Sequence, residues 1–185
     1  ILESPDGSWW GPVEFSKDGR KLLVMNYVST TNASNHKLDL DSGERELLAG
    51  GGSYNQPVAF DDEGEGLWLI TDQRGEFRTL AWAPLKGGAA PEPITSSIPW
   101  NIDAGKLSKD RTRGIFVVNE GGRSSGYLFD PKTRGFRRIE SLPVGIIKGM
   151  GFSPAGNQLA LTLRTPTTPS DTYVLDLERG ALDSG

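Results

Sequence analysis

The chain has 185 residues, 24 of them glycine, 12 proline and none cysteine, so disulfides, thiol catalysis and thiolate metal sites are excluded. The 20 basic residues are scattered among 24 acidic ones, and this net charge of −4 without a basic stripe argues against a nucleic-acid partner. No apolar run approaches the roughly 18 residues of a membrane span, and Ile1-Leu2-Glu3 has neither a basic flank nor a signal-like core, so no membrane partner is expected.

In chain order, the same pattern is written four times: an apolar strand start, a polar Gly turn, a β-rich run, a strand ending near Asp, and another Gly turn. Phe15, Phe60, Leu107 and Phe152 hold one phase of it at intervals of 45 to 47 residues, and Gly43, Gly87, Gly135 and Gly180 hold another. That period suits one four-stranded blade of a β-propeller, and each repeat alternates apolar and polar residues between turns as half-buried strands do. The first repeat predicts strands at Val13 and Phe15, Leu22 to Asn26, Leu38 to Asp41 and Arg45 to Leu48, with a polar loop through Asn32 and Asn35. The second predicts Val58 to Phe60, Leu67 to Thr71, Thr79 to Leu85 and a short edge near Ile94. The third predicts Ile102 to Leu107, Ile115 to Asn119, Tyr127 to Asp130 and Arg137 to Ile139, with Arg111 where its first turn should carry Gly. The fourth predicts Met150 and Phe152, Leu159 to Leu163 and Tyr173 to Leu177, with its outer strand missing or truncated.

The expected fold is therefore all-β: a single domain over 1–185 forming a partial propeller of four blades, each a four-stranded antiparallel sheet, the last truncated. The blades are placed at 11–49, 56–95, 99–142 and 147–185. Because the chain lacks an initial Met, it is expected to be a piece of a longer protein. Two open apolar blade faces are expected, favouring homo-oligomer formation over self-closure, in which Ile1 and Leu2 would supply the outer strand of the fourth blade.

Strand parity sends the first and third connections of every blade to one face and the second and fourth to the other. The first face carries stereotyped Gly turns, such as Lys17-Asp18-Gly19 and Pro154-Ala155-Gly156, which supply backbone freedom and little chemistry. The second face collects dissimilar segments at 29–35, 72–76, 120–125 and 165–170, with blade links at 50–56, 96–100 and 143–148. Variable loops on a rigid scaffold are where binding resides.

Phe15-Ser16-Lys17-Asp18-Gly19 and Phe152-Ser153-Pro154-Ala155-Gly156 resemble the repeat start of TolB-like and WD40-like propellers. The stretch from Gly149 to Leu177, with Leu159-Ala160-Leu161-Thr162, Pro166-Thr167-Thr168-Pro169-Ser170-Asp171 and Tyr173-Val174-Leu175-Asp176-Leu177, is similar to the last propeller blade of prolyl-oligopeptidase-family serine peptidases. That resemblance implies an α/β-hydrolase domain as partner, carrying a Ser, Asp and His triad absent from this chain, with peptide as substrate. It departs from the family in blade number, since the family's propellers have seven or eight.

Gly122-Arg123-Ser124-Ser125-Gly126 fits the Gly-x-Ser-x-Gly nucleophile pattern, but it lies between two β-runs rather than between a strand and a helix. The sole histidine, His36, precedes it, so no catalytic residue is assigned. Asp39 with Asp41, and Asp61, Asp62, Glu63 and Glu65, match no cation-loop spacing and read as turn chemistry. No metal and no cofactor is assigned. Asn32-Ala33-Ser34 is a formal glycosylation sequon that reads as a polar loop.

Trp68 and Trp82 lie inside alternating strands and read as packing between blades, whereas Trp100 sits in a blade link on the variable face. Arg74, Arg123 and Arg164 project from that face or its rim, where a guanidinium clamps a peptide carboxylate or carbonyl. Arg74, Trp100 and Arg123 are the candidate contact residues. The expected function is that of the noncatalytic propeller of a prolyl-oligopeptidase-like peptidase, gating peptide access. The alternative is a TolB-like protein-binding propeller, and a third reading is a small self-closed or lectin-like module. The residues do not fix the compartment: cytoplasm and periplasm both stay open, the cytoplasm slightly favoured.

Overall fold

A computed structural model of the chain describes residues 4, 7–50, 52–86 and 89–178, together with the backbone of 182–184. Its strands form four antiparallel sheets of four, each with its strands in sequential order, and the described residues contain no helix. The chain divides into two compact units, Ile1–Pro99 and Trp100–Gly185, each containing two of these blades.

The first unit holds β1 (Trp9–Phe15), β2 (Lys21–Ser29), β3 (Asn32–Asp39) and β4 (Arg45–Ala49) in one blade, and β5 (Asn55–Phe60), β6 (Gly66–Thr71), β7 (Thr79–Pro84) and β8 (Glu92–Pro93) in the next. Leu23, Ala49, Phe60, Leu67, Leu69, Ala81, Ala83 and Leu85 form the core between them. The second unit holds β9 (Ile102–Leu107), β10 (Gly114–Asn119), β11 (Ser124–Phe129) and β12 (Phe136–Arg138), then β13 (Ile146–Phe152), β14 (Gln158–Arg164), β15 (Asp171–Asp176) and β16 (Leu182–Ser184). Its core joins Ile115 and Ile139 to Leu159, Leu161, Leu163 and Leu175. The three leucines of β14 alternate with outward residues, as a half-buried strand requires. Both expected core tryptophans are in strands: Trp68 is 2% exposed, and the Trp82 indole donates to Asp61 at 3.1 Å.

The first turns of the four blades share one conformation. Gly19, Gly64 and Gly156 have φ of 70°, 70° and 72°, and Arg111, standing where the third repeat lacks glycine, adopts φ 62°. In each turn this residue's N–H bonds the carbonyl three residues back, at Ser16, Asp61, Ser108 and Ser153. The hydrogen-bond frame therefore sets the turn, and Arg111 bears the left-handed strain that glycine avoids. Gly87, Gly88 and Gly180, which the sequence also places in turns, lie outside the described residues.

A second periodic feature belongs to the inner strands. The ladder between first and second strands shifts register once per blade, skipping Val13, Val58, Asp103 and Lys148. A bulge leaves one residue unpaired and re-aims its side chain; here it recurs every 45 residues and carries a different chemistry in the last two blades.

Two expectations change. Asn32 and Asn35 belong to strand β3 rather than to a loop, because Ala33 and Asn35 are buried against the neighbouring blade, and the Ala33 N–H bonds Ser53 O at 3.2 Å. The truncation expected of the fourth blade is seen in its outer strand, β16, which has three residues. Within each unit, the blade face turned away from the core differs in character, where two apolar faces were expected. Blade one presents Phe15, 57% exposed, and Leu47, 60% exposed, beside Leu22 and Leu38. Blade four, opposite its core leucines, presents Gln158, Ala160, Thr162 and Thr172. Ile1 and Leu2 lie outside the described residues.

Candidate functional site

The second and fourth connections of the second unit meet around the β10–β11 hairpin, residues 120–123. The Glu120 N–H bonds Arg123 O at 2.8 Å and Asn119 Oδ1 accepts from the Gly122 N–H at 3.0 Å, closing a tight turn in which Gly121 and Gly122 have positive φ. The Trp100 ring lies against this turn, where a Cβ on Gly121 would meet its Cη2 at 3.7 Å. At 43% exposed, Trp100 keeps much of its surface in solvent. The structure thus brings Trp100 and the Arg123 hairpin together. Arg74 is exposed in the β6–β7 connection of the other unit.

Beneath the hairpin is a polar network not anticipated from the sequence. Glu120 accepts from the Tyr127 hydroxyl at 3.2 Å and from Arg138 Nη2 at 3.2 Å, while the same Arg138 atom donates to Ser125 Oγ at 2.8 Å. Arg123 Nη2 stands 3.6 Å from Glu120 Oε2. Burial pushes the Glu120 carboxyl up, but the Ser125 hydroxyl, Arg138, Tyr127 and Arg123 outweigh it and hold the group below the usual carboxylate range. Burial and the Glu120 charge push the Tyr127 phenol up. The register that sets Tyr127 opposite Arg138 carries this network, and that pairing becomes visible only once β11 and β12 are aligned.

Beside the hairpin runs a groove of about 290 Å³, walled by Arg123, by the blade link from Val144 to Lys148, and by Arg164 to Pro166. The Ser124 N–H donates to Gly145 O at 2.8 Å, joining link to hairpin. A Cβ on Gly145 would stand 2.5 Å from Arg164 O, so only glycine permits the close approach of the third wall. Lys148 is the bulged residue of β13 and is exposed. Arg123 and Lys148 fall in the variable-face segments read from the sequence and Arg164 at their rim, but Lys148, at the end of the 143–148 link, was not singled out as a contact residue.

A larger cavity of about 620 Å³ opens on the other face of the unit, among the stereotyped turns. Its principal polar groups are engaged locally: Arg113 Nη1 donates to Gly156 O at 2.8 Å, and Asp130 caps its own turn by accepting from Lys132 and Thr133 N–H. The loop-face groove is the smaller of the two, but it has the convergent polar groups that mark a binding site.

The Gly-x-Ser-x-Gly segment forms this hairpin and the start of β11, where Ser125 is tied to Arg138. His36 lies in β3, its Nε2 2.9 Å from Ser34 Oγ and its ring 4.8 Å from that of Trp10. Burial, then Arg45, pushes its pKa down. Asp39 caps its own turn, Asp41 pairs with Arg20 at 2.6 Å, and Asp62 pairs with Lys17. Among the described residues, no three His, Cys, Asp or Glu side chains are grouped to hold a metal ion.

No protein-family model matches the sequence, and no curated protein matches it closely enough to count. Among solved structures, TolB from Acinetobacter baumannii superposes with a TM-score of 0.73 at 17% identity, over 96% of this chain and 43% of TolB. A prolyl endopeptidase superposes with a TM-score of 0.79 at 13% identity, over 96% of this chain and 26% of the enzyme. A puromycin-hydrolysing peptidase from Mycobacterium tuberculosis gives 0.77 at 16% identity, over 95% of this chain and 28% of that one. The fold is that of a β-propeller segment, spanning less than half the length of each of these three proteins.

Proposed function

We propose that the chain is the noncatalytic propeller segment of a prolyl-oligopeptidase-like serine peptidase, where it governs peptide access to a hydrolase domain and contributes contacts from its variable-loop face. The observation that carries this reading is the superposition on two peptidases over 95% or more of the chain, using about a quarter of each enzyme. The repeat ending at Tyr173-Val174-Leu175-Asp176-Leu177, which resembles the last propeller blade of that family, supports it. The loop face suits the role: an aromatic ring, a hairpin arginine and a rigid groove lie together on a blade pair that keeps its core elsewhere.

The test uses the parent protein with the segment that follows Gly185. Short proline-containing peptides are expected to turn over, and Trp100→Ala or Arg123→Ala to change kcat/KM for longer peptides more than for a minimal substrate. Lys17→Ala and Lys132→Ala, in turns of the opposite face, serve as controls and are expected to do little. A parent inert toward all peptides would overturn the reading in favour of a binding propeller without a hydrolase, which the likeness to TolB supports.

A further inference from the structure

The chain as a whole is acidic, yet among the described residues the loop-face groove is lined by Arg123, Lys148 and Arg164 and by no carboxylate. Three separate segments supply these cations: the β10–β11 hairpin, the bulge of β13 and the end of β14. Among the described residues, the one carboxylate in an ion pair with any of them is Glu120, 3.6 Å from Arg123, and that carboxylate is already shared with Arg138 and Tyr127. Three exposed cations lining one groove give it a positive local field that favours an anionic ligand.

The walls are built before any ligand arrives. Gly145 is locked between Ser124 N and the Arg164 carbonyl. The Thr165 hydroxyl accepts from the Thr168 N–H at 3.1 Å and sits 2.7 Å from Thr168 Oγ1, holding the 165–170 loop in a side-chain turn. Apolar surface adjoins the charges, since Val144, 64% exposed, lines the same groove. Guanidinium groups match a planar carboxylate in a way that isolated lysines do not. An exposed valine beside them rewards an apolar side chain next to that carboxylate.

We infer that this groove binds the free C-terminal carboxylate of a peptide whose last residue is apolar. The inference rests on the peptide-handling role proposed above and names the end of the peptide held at this position.

The experiment uses the 185-residue chain with fluorescein-labelled tripeptides ending in leucine, as free acid and as amide, with binding read by fluorescence anisotropy at low and high salt. The acid is expected to bind about tenfold more tightly than the amide, as the loss of charge-assisted hydrogen bonds implies. Arg164→Gln and Lys148→Gln should each weaken the acid several-fold, Arg164→Lys should weaken it less, and 0.5 M salt should abolish the difference. Equal binding of acid and amide would overturn the carboxylate assignment while leaving peptide capture by this face standing. An amidated peptide with an internal aspartate that binds as tightly as the free acid would overturn the C-terminal commitment. Absence of binding by any peptide would overturn the inference outright, while turnover of peptides by the parent would still decide the broader reading on its own.

Discussion

Glu120→Gln separates the stability of the second unit from its ligand binding, because the same carboxylate does opposite things for the two. The side chain is only 11% exposed and holds Arg138 and Tyr127, both at 3.2 Å. The amide keeps the shape but makes the Tyr127 bond a neutral one, removes the ion pair with Arg138 and sets an NH₂ near a guanidinium. A hydrogen bond is worth about 1 kcal/mol more with a charged partner, and the lost ion pair adds to this. Because Arg138 is 38% exposed, solvent screening discounts its share, leaving an expected loss of about 1–2 kcal/mol. For a chain of this size that is about 3–6 °C in Tm. The same change releases Arg123 from its one carboxylate partner among the described residues and should tighten binding of the free-acid peptide. Trp100 is the sole tryptophan of the second unit, so 5-fluorotryptophan labelling gives that unit its own NMR signal during urea unfolding. The pH dependence has a fixed sign. The folded pKa of Glu120 is depressed, so its contribution is present above the unfolded value of about 4.3 and is lost as pH falls through the lower folded value. Wild type and variant should therefore converge at low pH. Unchanged stability at pH 7, or weaker peptide binding by the variant, would refute the reasoning.

Gly114→Ala is expected to cost about 2 kcal/mol through overpacking. Its Cβ would meet Phe129 Cε1 at 2.0 Å, and Phe129 is itself buried against Phe116; urea unfolding should show the loss, and Phe129→Leu in the same chain should recover part of it. Association through the open face of blade one is expected to appear as concentration-dependent sedimentation. Phe15→Lys with Leu47→Lys should abolish it, and a wild-type chain that stays monomeric at every concentration would exclude that interface.

What was legible in the sequence is what repeats locally. Strands such as Leu159 to Leu163 announce themselves by alternation, and Phe-Ser-x-x-Gly starts announce their turns, because both depend on neighbours in the chain. Asn32 to Asn35 misleads for the same reason: as a polar run it reads as a loop, but pairing with β2 and a hydrogen bond to Ser53 make it a strand whose Asn35 is fully buried. The turn glycine also proved dispensable, since the frame around Ser108 and Asp110 holds Arg111 in the left-handed region.

The candidate site was half legible because its residues obey two different rules. Trp100 and Arg123 were found by asking which connections leave which face, a question that parity answers without coordinates. The meeting of Glu120, Tyr127 and Arg138 required strand register, and Lys148, already placed in a variable-face link, needed the bulge to be singled out. Yet the bulge itself is periodic: Val13, Val58, Asp103 and Lys148 stand 45 residues apart, in the phase of the blade repeat. A position fixed in every blade by backbone geometry is free to vary in chemistry, since its side chain is released from the ladder. Valine in the first two blades and charge in the last two therefore place chemistry on the second unit's inner strands without altering the fold, and Lys148 brings that charge into the groove shared with Arg123 and Arg164.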